Sequence, residues 1–395
     1  MMKLRGLTLS CIGLTLITTL LTACSSEHGP KGKSDLASSV QLLQKTGYSP
    51  EELKPVSGWH ERWIIDQQSI DVSWLLPASA QGAPVIIYLP GLGENSESGR
   101  LWREAWAQAG YAVISLQPTT LGREIYSSRE AQAGSFRSLA QRYYADSELV
   151  TRVSLISQAF NEARQRLKAQ QPGINWDQVI VAGYDIGAQT AAALAGEHIS
   201  EQPLPVLQLK PVAAILLSPY VKDSTDPIRF TSIRVPVLTA TGPLDEDPFN
   251  WVRTAGQRLK LWQNIQTSGS YQLTLSTAEH AGFSGSVFPV TASRKNKESS
   301  PRERRPVGGM GDPSGSMGGP GGGRRGPGGE MGEPPRFGHG QNDEARFNPR
   351  QAAFLRAVTT AFLDATVKRS SIAQTWLNHN AISWLKPEGS LEQKP

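Results

Sequence analysis

Three residues have the types and surroundings for one shared reaction. Asp185 stands in Gly183-Tyr184-Asp185-Ile186-Gly187, directly after an apolar run and directly before a small-residue helical pattern. Glycines on both sides of a central residue suit a turn so sharp that its side chain stands out while neighbours crowd in. Asp245 follows Gly242 by three residues at the end of VPVLTATG, and His280 follows the last apolar run, in EHAGF. Two carboxylates and an imidazole are side chains that serve as nucleophile, orienting acid and general base. Each also has a plainer reading. Asp185 can cap the helix that starts at Ile186. Asp245 lies beside Glu246 and Asp247, and Asp247 is a second choice for the acid. Ser218 in LLSPY is a stray candidate nucleophile, but it lacks a glycine-flanked elbow, which favours a structural role. His60, His198 and His379 have no metal-ligand spacing, His339 lies in a glycine-rich stretch, and no metal or cofactor is expected.

Short apolar runs separated by helical patterns must position these residues. WHERWIID and SIDVSWLL alternate apolar and polar residues and predict an antiparallel hairpin. PVIIYLP (84–90) and YAVISLQP (111–118) are continuous apolar strands of the kind buried on both faces, with a helix GRLWREAWAQAG between them. A helical region over 136–170 leads to the strand DQVIVAG and the helix AQTAAALAG. The strands PVAAILLSPY and VPVLTATG, the helix WVRTAGQRLKLWQNI and the strand YQLTLSTA follow. In RQAAFLRAVTTAFLDATV, Ala353, Phe354, Val358, Phe362 and Leu363 share one helical face that would close the domain. The expected class is α/β, with a mostly parallel sheet flanked by helices.

From residue 59 to 283, with the terminal helix, the chain resembles the α/β-hydrolase superfamily, whose triad runs nucleophile, acid, histidine. The resemblance assigns Asp185, Asp245 and His280 to those roles. It makes Pro90-Gly91-Leu92-Gly93 the oxyanion turn, with Leu92 N–H and Ile186 N–H as donors. The spacing is similar to lipase-like and dienelactone-hydrolase-like members without a large cap. The departure is Asp185 where most members have serine. Aspartate there is found in epoxide hydrolases and haloalkane dehalogenases, where the carboxylate attacks sp³ carbon and histidine activates water against the resulting ester. Those branches hold the leaving atom with residues of a cap after the strand that follows the elbow helix. Here that connection, 221–234, is too short for a cap. Tyr184, Tyr220 and Tyr126 are the candidate hydroxyls, and each is equally a core or rim tyrosine. A small-molecule hydrolase and a non-catalytic envelope-binding relative both remain open.

The first residues, MMKLRGLTLSCIGLTLITTLLTAC, have a basic start, an apolar run and small residues before Cys24. This predicts a secretory signal over 1–23. Leu21-Thr22-Ala23-Cys24 resembles the lipobox of bacterial lipoproteins, which implies acylation of Cys24 and a membrane as partner. Ser25 in the next position implies the outer membrane facing the periplasm. Cys11 leaves with the signal, so the mature chain would hold neither disulfide nor free thiol. Residues 24–55 read as a polar tether, 56–283 as the domain, 284–343 as a disordered insert, 344–386 as helices completing the domain and 387–395 as a tail. The insert also accounts for the charge. Of 40 basic and 35 acidic residues, 9 basic and 5 acidic fall between 294 and 340. Without them and the signal the chain is close to neutral, which argues against nucleic acid as a partner. Oligomeric state and substrate are not readable from the sequence.

Overall fold

The computed structural model describes residues 31–199, 208–286 and 348–395. Within them the strands are β1 (Val56–Ile65), β2 (Gln68–Pro77), β3 (Pro84–Leu89), β4 (Ala112–Pro118), β5 (Asn175–Tyr184), β6 (Pro211–Leu217), β7 (Val237–Thr241), β8 (Tyr271–Leu275) and β9 (Gly389–Gln393). They form one sheet in the order β1-β2-β4-β3-β5-β6-β7-β8-β9. The six strands from β4 to β8 run parallel, whereas β1, β2 and β9 are antiparallel to their neighbours. β3 and β4 are buried at every position, as strands covered on both faces must be. The hairpin β1–β2 turns through Asp66 and Gln67, whose φ of 46° and 61° give the mirror-image turn that matches strand twist.

The helices are α1 (Lys31–Thr46), α2 (Arg100–Gln108), α3 (Arg129–Gln132), α4 (Phe136–Tyr143), α5 (Asp146–Gln170), α6 (Ile186–Leu194), α7 (Leu259–Asn264) and α8 (Pro349–Thr366). Two apolar cores lie on opposite faces of the sheet. One contains buried side chains of α5 and α6, the other those of α2 and α8. Phe354, Val358, Phe362 and Leu363 of α8 are all fully buried in the second. The architecture is α/β and compatible with an α/β-hydrolase fold.

Several boundaries differ from expectation, each for a local reason. The helical region 136–170 breaks at Tyr144 and Ala145, where Ala145 turns to extended backbone (ψ 149°) before α5 begins. Residues 251–258 are not one helix with α7. The Asp247 carboxylate accepts the backbone N–H groups of Phe249, Trp251 and Val252 and winds this segment into a turn. The tether expectation for 24–55 meets α1, which packs against α8. The tail expected over 387–395 contains β9, whose backbone pairs with β8. Ser284, Gly285 and Ser286, assigned to the insert, belong to the folded part, because Leu101 N–H donates to Gly285 O and Trp102 Nε1–H to Phe283 O. The signal over 1–23, Cys24, Ser25, His339 and the rest of the insert lie outside the described residues.

Candidate active site

β5 ends at Tyr184 and α6 begins at Ile186, so the chain reverses at Asp185 with φ 54° and ψ −116°. For a residue with a Cβ this is strained backbone, costing on the order of 1–3 kcal/mol. A Cβ on Gly183 would collide with the Gly187 backbone, and one on Gly187 with Leu89 O. Both flanking glycines are therefore required by close approach.

The turn aims the Asp185 carboxylate at three different groups. Oδ2 accepts a hydrogen bond from Leu92 N–H at 3.3 Å and one from the Tyr144 hydroxyl at 2.5 Å. Oδ1 faces His280 Nε2 at 4.0 Å. The side chain makes no cap bond to α6, which sets aside the plain helix-cap reading. Burial and the nearby Asp185 charge raise the Tyr144 hydroxyl well above its ordinary pKa, so it stays a donor. Ile186 N–H lies in the first turn of α6, and the Ile186 side chain packs in a small cluster with Leu92, Tyr144 and Tyr220.

His280 opens a short 3₁₀ turn after β8. Its Nδ1 lies 2.9 Å from Asp245 Oδ1, 2.9 Å from Ser218 Oγ and 3.2 Å from Arg258 Nη2. Asp245 is fully buried. It accepts from Thr241 Oγ1 at 2.7 Å and Ser218 Oγ at 2.8 Å, and pairs with the Arg258 guanidinium at 3.2 Å. Burial pushes the Asp245 carboxyl up, but Arg258, His280 and Thr241 together outweigh it and hold the group below the usual range. Arg258 also donates to the carbonyls of Asp245, Ser218 and Pro219, which locks the loops after β6 and β7 together. Of the two acids weighed for the histidine, Asp245 is the one in contact. Asp247 spends its oxygens on backbone turns.

Ser218 lies behind the imidazole, on the acid side, and its hydroxyl is engaged by Asp245. Tyr184 donates to the His280 carbonyl at 3.2 Å, and its ring lies tilted against the imidazole with centroids 5.0 Å apart. Tyr126 is partly exposed and lies over Gly93, where a Cβ would collide with its hydroxyl. The Tyr220 ring lies on Tyr144 at 3.7 Å, and its buried hydroxyl has no hydrogen-bond partner among the described residues. Glu94 follows the Leu92 turn directly. It accepts from Gly91 N–H at 2.9 Å, from Ser286 Oγ at 3.0 Å and from Ser284 Oγ. Desolvation raises its pKa, with Asp185 adding to the shift.

Tyr144, Arg258 and Glu94 are not among the residues that sequence motifs single out. Tyr144 sits at a helix break and Arg258 inside a helix-like run, and neither has a spacing signature. Only Glu94 has one, its place right after Pro90-Gly91-Leu92-Gly93. Tyr144 lies against Asp185 and packs in a cluster with side chains from 121–140 and with Tyr220, Phe249 and Val252, and no buried member of that cluster comes from 221–234. His60, His198 and His379 are not in contact with the site, and among the described residues no three His, Cys, Asp or Glu side chains gather as a metal site. Comparison with known protein families and with curated proteins finds no match for this chain.

Proposed function

We propose that this chain is a lipid-anchored member of the α/β-hydrolase superfamily that hydrolyses small lipophilic substrates with an electrophilic sp³ carbon. The observation that carries the reading is the division of labour between the two Asp185 oxygens. Oδ2 is held by Leu92 N–H and Tyr144, while Oδ1 is turned to the imidazole side.

In this reading Oδ1 attacks carbon. A carbon–oxygen or carbon–halogen bond breaks, and Asp185 becomes an ester. The Tyr220 hydroxyl, which has no hydrogen-bond partner among the described residues, is in this reading the donor to the leaving atom. With Nδ1–H donated to Asp245, His280 Nε2 carries the lone pair that takes a proton from water. The hydroxide adds to the Asp185 carboxyl carbon, and Leu92 N–H and Tyr144 stabilise the negative Oδ2. Collapse breaks the bond from the carboxyl carbon to Oδ1 and expels the product alkoxide, which takes the water-derived proton from His280. The Asp185 acid left behind then gives its proton through His280 to the Tyr220 phenolate formed with an epoxide, or to solvent with a halide, and the carboxylate is restored. Arg258 balances Asp245, so the acid stays ionised and orients the imidazole.

The test is mass spectrometry after incubation with an epoxide, a haloalkane and an activated ester. An adduct on Asp185 that accumulates in His280→Gln, but turns over in the unaltered protein, supports the hydrolase. One observation favours the binding relative, namely that Asp185 is only 3% exposed beneath Tyr144. No adduct and no turnover across the panel would decide for that reading. The Asp185→Ser variant adds a second arm, since gained esterase activity would mean that the turn and His280 remain poised. For location, the lipobox-like Leu21-Thr22-Ala23-Cys24 supports an acylated Cys24, and Ser25 supports the outer membrane.

A further inference from the structure

Away from the site, exposed apolar side chains occur on three elements that Trp376 and Trp384 link, α1 and the helical turns Ser371–Thr375 and Ala381–Leu385. Leu42 is 62% exposed, Ile372 56% and Ile382 46%. Trp376 and Trp384 are half-buried and meet edge to face, with centroids 5.4 Å apart. Trp384 Nε1–H donates to Thr46 Oγ1, and that hydroxyl donates to the Leu42 carbonyl, so the indoles join α1 to the C-terminal turns in one surface. Lys45 on α1, and Arg369 and Lys386 next to the two helical turns in the chain, are exposed, as are Glu51 and Glu52 after α1.

We infer that this face lies on the surface of the anionic bilayer that the Cys24 lipid enters, an inference that rests on the lipoprotein reading above. Two arguments select a lipid surface as the occupant. The first is reach. Seven residue steps separate Cys24 from Lys31, a contour of about 24 Å even when fully extended. α1 therefore cannot move far from an anchored membrane, and some face of the protein close to α1 must meet it. The second is chemistry. Paired indoles on elements that also carry exposed aliphatic side chains, with exposed Lys and Arg on or next to those elements, match the boundary between headgroups and acyl chains, where tryptophan is favoured and basic residues meet anionic lipid. A shallow apolar contact of this kind would add to the acyl chains and fix which side of the domain faces outward.

The experiment uses the full-length acylated protein in phosphatidylethanolamine and phosphatidylglycerol vesicles with brominated acyl chains. An environment-sensitive fluorophore is placed at Ile382→Cys and, as the control, at Asp66→Cys in the β1–β2 turn. The expected result is blue-shifted emission quenched by bromine from position 382 and water-like emission from 66. Water-like emission from both overturns the inference, as does shielding of 382 that traces by cross-linking to a second copy of the chain. Mass of the Cys24 peptide is read on the same vesicles, so a missing lipid overturns the anchor separately while the 382 signal still decides the face. In a second arm, Leu42→Glu with Ile382→Glu lowers partition of the non-acylated chain beginning at Ser25, which lacks the apolar signal, about tenfold with unchanged thermal melting. Unchanged partition overturns the inference.

Discussion

Oδ2 of Asp185 draws on two donors of different kinds, one a backbone N–H fixed by a turn and one a phenol on a helix break. Removing the phenol is the cleaner experiment, because Tyr144→Phe keeps the ring that packs on Tyr220. It should slow hydrolysis of the Asp185 ester about 100-fold and leave its formation less affected, read as decay of the adduct in single turnover. Arg258 acts on the other side of the site. Its guanidinium is buried against Asp245, so Arg258→Met leaves a buried carboxylate without its main counter-charge and should cost about 3–5 kcal/mol in urea unfolding. The Asp245 carboxyl is held below its usual range, so its stabilisation is present above about pH 4 and is lost as pH falls through its folded pKa. Of these residues Asp185, Asp245 and His280 are legible in the sequence, because each follows an apolar strand. Tyr144 and Arg258 are not, because their roles arise from contacts across 41 and 13 positions that no local pattern encodes.

Strands and helices with strong apolar patterns could be read directly, and the parallel centre follows from their continuous burial. Segments governed by one polar side chain could not. Asp247 converts a helix-like run into a turn by accepting three backbone N–H groups, and the break at Tyr144 interrupts an otherwise periodic stretch. That break lets the ring descend onto the elbow, so the connection after β4 supplies the tyrosine that lies against Asp185. β9 carries too few apolar residues to announce itself and is recognisable only through its pairing. α6 and its following turn carry a further charge effect. Glu197 lies buried next to Arg229 at 2.5 Å, yet desolvation outweighs the pair and its carboxyl is pushed up to about 7. A raised folded pKa means that this contribution is fully present below about pH 4.3 and is lost as pH rises through about 7. Glu197→Gln should remove that loss, worth on the order of 1–3 kcal/mol at pH 8, checked by denaturant titrations at pH 5 and 8.

At the scale of the molecule, two distant parts of the chain complete one fold. Gln351 Nε2–H in the first turn of α8 donates to Thr277 Oγ1 beside the site, and most of α8 is buried in the second core. The composition of the stretch between them is that of an insert, and the prediction follows from α8. Deleting residues 290–342 should keep a cooperative thermal transition, whereas a chain ending before α8 should lose it, both followed by circular dichroism. The strands, the mostly parallel sheet and the closing helix were within reach of the sequence. The tie between α1, Trp384 and the last helical turns was not, because it joins the two ends of the chain.

β9 has one more consequence. It pairs along β8 from Tyr271 to Leu275, so the N–H and C=O groups on that side of β8 are already matched. A chain trimmed before Gly389 would bare them as a ready template for another strand, the usual start of sheet-to-sheet aggregation. The last residues thus serve as a guard on solubility as well as a closing piece of the fold.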